Sequence, residues 1–254
     1  MTDMTDEEHE SYGAMIHRGK VEAANTSPNV TRINVLDHGF VRLVDRMGSD
    51  LSILRAARVS HDAAWRAGED TGSDKRLIDY LMRNRHTTPF ESVVFQFEVK
   101  APIFVFRQWH RHRTWSFNEV SARYTELPEE FYVPDPAKIG VQSKNNKQAR
   151  VFGADNDRSK IVAGVIENVC AESFRQYRNL LYIGVPRELA RSVLPIATYS
   201  HMFAKVDLHN LLHFLGLRLH EHAQYEIRVY AEAMLELIRP VVPVAVAAWE
   251  ESRK

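Results

Sequence analysis

The sequence predicts an α+β fold, a twisted, largely antiparallel sheet followed by a helical second half, within a single domain. Two observations predict it. Segments that alternate with period two lie before residue 134, where successive side chains would face opposite sides of a sheet. Segments with apolar residues three and four apart dominate after residue 159, as helices with one buried face require. With 254 residues, 44% of them apolar, the chain is long enough to bury a sizeable core.

Taken in order, residues 1–30 are polar and aperiodic and are read as a flexible arm; residues 31–254 form the domain. Arg32 to Asp45, broken by the turn-like Asp37-His38-Gly39, reads as a two-stranded hairpin. Leu51 to Ser60 has helical spacing after the cap Ser49. A polar loop follows, and Ser73 is expected to cap a second helix running to Arg85. Pro89 ends that helix, and Val93 to Val99 alternates as a strand with one buried face. Ile103 to Arg113 is expected as a helix opened by Pro102, then an extended segment, then a short strand at Phe131 to Val133. Residues 137–160 are charged and amide-rich and read as an exposed excursion, the most mobile internal region. Helices are expected near 159–182, 186–194, 207–217 and 220–238.

The composition argues against several function classes. Basic and acidic side chains balance at 33 each, unlike a general nucleic-acid binder with a basic domain. The single cysteine, Cys170, rules out an internal disulfide and a cysteine-rich zinc site. It lies on the apolar stripe Ile166, Cys170, Phe174, Tyr177 and Leu181 and reads as core. The acidic start lacks the pattern of a signal peptide, and the apolar run Pro240 to Trp249 is too short to span a bilayer. A cytoplasmic protein without a membrane partner is the expectation.

Residues 107–124, RQWHRHRTWSFNEVSARY, stand apart. Four arginines (Arg107, Arg111, Arg113, Arg123) and two histidines (His110, His112) share them with one acid, Glu119. Crowded like charges call for an anionic partner, and the guanidinium fork matches phosphate or carboxylate. On a helix Arg107 and Arg111 would share a face; on an extended chain Glu119, Ser121 and Arg123 would. Arg187, Arg191 and Arg218 sit in apolar helical contexts, where each needs an internal salt bridge or a bound anion. None of the 11 glycines falls in a dinucleotide or phosphate-loop spacing.

The pattern Arg111-His112-Arg113, seven residues, then Ser121 resembles the signature of the flavin-dependent thymidylate synthases. The resemblance runs over about 32–240 and includes HTTPFE (86–91), KAPIFVFRQW (100–109), GVPRELAR (184–191) and LGLRLHEHAQYE (215–226). It implies an enzyme that makes dTMP from dUMP, with methylenetetrahydrofolate as carbon donor, FAD as the source of hydride and NADPH as reductant. It implies a homotetramer with sites shared between subunits.

Carried onto this sequence, the resemblance makes Arg218 the catalytic cation beside the pyrimidine. The dUMP pocket would comprise Gln108, Trp109, His110, Arg111, Glu119, Val120, Ser121, Ala122, Arg123, Arg191 and Arg218. FAD would contact Thr88, Arg111, His112, Arg113, Glu119, Asp207, Leu208, His209 and His213, with His86 at its border. Two other functions stay open on the residues alone. One is a nucleic-acid-binding module using the Arg/Trp stretch; the other is a metal protein using His209, His213, His220 and His222, although no HExxH or cysteine pair accompanies them. No metal is expected.

Overall fold

The apolar alternation of Val93 to Ala101 places Phe95, Phe97, Val99 and Ala101 on one side of a strand, all fully buried. The structure, a computed structural model, describes residues 32–153 and 156–253; the arm expected at 1–30 lies outside them. That strand, β3 (Val94–Pro102), lies at the middle of a five-stranded sheet. The others are β1 (Arg32–Val35), β2 (Gly39–Met47), β4 (Ser116–Glu119) and β7 (Tyr199–Asp207), in the order β1-β2-β3-β7-β4. Every pairing is antiparallel, as expected for hairpin-rich segments. The polar face is used too: Arg42 lies directly opposite Glu98 and forms an ion pair with it, and His201 Nε2 lies 2.8 Å from the same carboxylate.

The helices are α1 (Asp50–Arg58), α2 (Thr71–Arg83), α3 (Ile103–Trp109), α4 (Asn156–Tyr182), the single turn α5 (Arg187–Ala190), α6 (Leu208–Arg218), α7 (Tyr225–Ile238) and α8 (Pro243–Glu251). Tyr230 of α7, Phe214 of α6 and Trp109 of α3 pack together with the sheet's buried face into the main core. Asp50 at the start of α1 accepts from the backbone N–H groups of Val244 and Ala245, both at 3.0 Å, and so caps α8 from a distant element. A smaller cluster, Phe174, Tyr177 and Ala190, packs α4 against α5 and the following 3₁₀ turn.

The fold class and the hairpin are as expected, and Cys170 is buried on α4. Several boundaries are corrected. Asp70, not Ser73, caps α2, its Oδ1 accepting from the N–H groups of Gly72 and Ser73. The helix from Ile103 stops at Trp109, because the chain turns at His110 to enter the sheet edge; Arg111 therefore shares no helical face with Arg107. The extended segment ends at Glu119, and Tyr124 N–H folds back onto Ser121 O at 3.0 Å. Glu119, Ser121 and Arg123 thus do not line one strand face. Phe131 makes only an isolated bridge to Thr198. The helix expected at 186–194 is α5 plus a 3₁₀ turn, and that at 220–238 begins at Tyr225. Two elements lie beyond those expected: β7 at Tyr199–Asp207, which takes the first residue of the helix expected at 207–217, and α8 at Pro243–Glu251. Within 137–160 the strands β5 (Val141–Gln142) and β6 (Arg150–Val151) pair as a small separate hairpin.

Candidate active site

The arginine-rich stretch begins on α3, turns, and returns along the edge strand β4, which is paired to β7. Fixed at that edge, Glu119 Oε1 accepts from Ser200 Oγ of β7 at 2.5 Å, and its other oxygen lies 3.9 Å from His110 Nε2. The His110 ring rests on Phe117 and Phe106, which fixes its plane. Around this carboxylate opens a cavity of about 690 Å³ whose lining includes Arg107, His110, Glu119, Val120, Ser121, Ala122 and Arg191. Six residues expected to hold the nucleotide therefore converge: His110, Glu119, Val120, Ser121, Ala122 and Arg191. Arg123 lies beside them, 3.4 Å from Glu188, and Arg191 Nε donates to Glu188 O at 3.3 Å.

Arg218, at the end of α6, faces a different set of partners. Its Nε donates to His112 Nε2 at 3.1 Å and its Nη2 to Gln108 O at 3.3 Å. No carboxylate pairs with it among the described residues. Burial lowers its pKa from the ordinary arginine range. His112 is buried against Phe214, with ring centroids 4.9 Å apart, and His213 stands 6.2 Å away. Burial, aided by the charge of Arg218 and by His213, depresses the His112 pKa to about 4. His112 is therefore neutral near pH 7, and its Nε2 accepts from Arg218.

A second cavity of about 770 Å³ lies beside α6, lined among others by Arg83, Arg85, Thr87, Phe90, His209, His213 and Arg253. Two of the expected flavin contacts, His209 and His213, line it, and Thr88 follows Thr87 directly. Its several cations and its apolar walls (Leu81, Phe90, Leu212) suit a ligand that is both anionic and aromatic. Asp207 caps α6 by accepting from Asn210 N–H at 2.9 Å.

Two expected contacts point elsewhere. The Trp109 side chain is fully buried and stacked on Phe214, and Leu208 is likewise core, so neither side chain reaches a cavity. Trp109, the one apolar residue of RQWHRHR, is thus part of the core. Arg111 and Arg113 are exposed, and their guanidinium groups make no hydrogen bond or ion pair within the described residues. Ser200 of β7, which the sequence alone does not mark, anchors Glu119, and Gln224, just before α7, joins Gln108 to the buried Glu226, two further residues that it does not mark. An acid one residue into a largely apolar helical stretch was the available signal for Glu226.

Among the described residues, no group of three or more His, Cys, Asp or Glu could hold a metal ion, and no helix is long and apolar enough to cross a membrane.

Comparison with known proteins bears on this arrangement. A family model described as thymidylate synthase complementing protein matches residues 42–244. The flavin-dependent thymidylate synthase of Thermus thermophilus is 54% identical over 222 residues, covering 86% of this chain and 78% of that one. This chain belongs to the flavin-dependent thymidylate synthase family. The synthase of Wolbachia pipientis is 50% identical over 217 residues, covering 85% of this chain and 75% of its own length. Among solved structures, a UMP/dUMP methylase from Streptomyces cacaoi bound with 5-Br dUMP superposes with a TM-score of 0.78. It is 41% identical, with 86% of this chain and 97% of that chain covered.

Proposed function

We propose that this chain is a thymidylate synthase that converts dUMP to dTMP, using FAD reduced by NADPH and methylenetetrahydrofolate as carbon donor. The observation that carries the reading is Arg218: a half-buried guanidinium whose described partners are a neutral imidazole and a carbonyl oxygen. Such a cation lacks a charge to balance it and is suited to negative charge that develops on a bound pyrimidine. Family membership and the dUMP-methylase neighbour supply the substrate class.

The chain's own groups have separable tasks. Arg191, with Ser121 and the Val120-Ala122 backbone, binds the nucleotide in the cavity around Glu119. Gln108, His110, Arg111 and Arg123 complete that pocket, with Trp109 supporting it from the core. Arg218 polarises the pyrimidine ring, and His112 holds the guanidinium plane while remaining uncharged. FAD is held by Thr88, Arg111, His112, Arg113, Glu119, the Asp207-Leu208-His209 segment and His213, and when bound it supplies hydride. Cys170 takes no part. Its thiol is buried and its pKa raised by that burial, the opposite of an activated nucleophile.

One chain leaves Arg218 outside the cavity that holds Arg191, and leaves the Arg111 and Arg113 guanidinium groups without partners among the described residues. This supports a homotetramer in which neighbouring subunits complete each site. The test is a purified protein given FAD, NADPH, methylenetetrahydrofolate and dUMP tritiated at C5. A flavin spectrum with dUMP-dependent tritium release is expected; a protein that stays colourless with added FAD and releases no tritium refutes the reading.

A further inference from the structure

Glu226 is 1% exposed, one residue into α7, and a carboxylate so placed must be matched by donors. Three reach it. Arg150 Nη2, from the β5–β6 hairpin, donates to Oε1 at 2.5 Å, and Tyr132 Oη donates to the same oxygen at 3.2 Å. Gln224 Nε2 donates to Oε2 at 2.8 Å. The chain of contacts continues, since Gln108 Nε2 donates to Gln224 Oε1. Gln108 in turn offers its backbone carbonyl to Arg218.

A primary amide has one donating and one accepting end, and rotation by half a turn exchanges them. Free glutamines near a ligand therefore present either end. Here the exchange is blocked at its origin. A carboxylate can only accept, so Gln224 must turn its NH₂ toward Glu226 and its carbonyl toward Gln108. Gln108 must then give its NH₂ to Gln224. Its own Oε1 has no partner among the described residues and is left as an acceptor.

The geometry points to Glu226 and Gln224 as positioning residues that fix the polarity of Gln108, so that its Oε1 reads a hydrogen-bond donor on the bound nucleotide. The donors on dUMP are the ring imide N–H and the sugar 3′-hydroxyl; the phosphate and the ring carbonyls are acceptors and would be refused. Arg150 supplies the charge that keeps Glu226 compatible with burial, which gives the 137–153 segment a role at the site. The inference rests on the proposed place of Gln108 beside bound dUMP.

The test measures equilibrium binding to the FAD-loaded protein of dUMP, N3-methyl-dUMP and 3′-deoxy-dUMP. The wild type is expected to bind one of the two analogues about tenfold more weakly than dUMP, the cost of an unmet polar group. Glu226→Gln, which lets the relay reverse, should shrink that ratio to within about threefold, whether or not dUMP itself binds more weakly. Gln224→Met, at an exposed position, should do the same and serves if the buried variant fails to fold. A merely structural role would weaken all three ligands equally and preserve the ratio. Unchanged discrimination in both variants, or a wild type indifferent to both analogues, overturns the inference alone. A wild type that binds no dUMP overturns the functional reading with it.

Discussion

Arg218 Nε donates to His112 Nε2 at 3.1 Å, so the guanidinium is held by an imidazole that burial keeps uncharged. A carboxylate at the same place would orient Arg218 equally well but would neutralise it. A neutral acceptor orients the cation and leaves its charge available to a ligand. The first prediction follows from that difference. Arg218→Ala should keep FAD and oligomeric state but lose on the order of a hundred- to a thousand-fold in turnover. Arg218→Lys keeps the charge without the planar fork and should stay badly impaired. Steady-state rates alongside flavin content and light scattering check this; normal turnover would mark Arg218 as structural.

The His112 pKa sets a pH dependence. Its folded value is about 4 against an ordinary 6.5, so between those values the unfolded chain binds the proton more readily. This contribution to stability is complete above pH 6.5 and is lost as pH falls toward 4, by about 1–3 kcal/mol. Thermal melts from pH 7.5 to 4.5 should show the loss, and His112→Asn should flatten it. An identical slope in the variant would assign the acid sensitivity to other groups.

Cys170 faces the apolar side of α4 and carries no chemistry in this account. Cys170→Ala should leave dTMP formation within a few-fold and cost about 1–2 kcal/mol of stability. Abolished activity in a folded variant would return a cysteine nucleophile to consideration.

If sites are completed across subunits, mixed assemblies should recover what each parent lacks. Arg111→Ala and Arg218→Ala proteins, dissociated together and reassembled, should regain a fraction of wild-type activity. Equal inactivity of all mixtures, with subunit exchange verified by mass, would confine each site to one chain.

The relation between sequence and structure was uneven for physical reasons. Alternation exposed β3 because one face is dry, and the hairpin turn at Asp37-His38-Gly39 was marked by its own residues. By contrast, β7 carries Tyr199, His201 and Lys205 among its apolar residues. It was missed because its long-range pairing to β3 and β4, rather than its composition, makes it a strand. The cavity around Glu119 was legible in part, because five of its lining residues lie within 110–122, with Arg191 added by resemblance. Ser200 and Glu226 were not, since each reaches the site through partners distant in sequence. The burial of Trp109 was not legible, because an aromatic amid arginines suits a binding surface as well as a core, and only packing on Phe214 separates the two.

The most direct measurement is the formation of dTMP from dUMP by the Cys170→Ala protein supplied with FAD, NADPH and methylenetetrahydrofolate, run beside Arg218→Ala. If Arg218 and not Cys170 carries the reaction, dTMP is expected from the first, strictly dependent on added NADPH and FAD, and almost none from the second. No dTMP from a folded, flavin-loaded Cys170→Ala protein, or equal amounts from both, would contradict it.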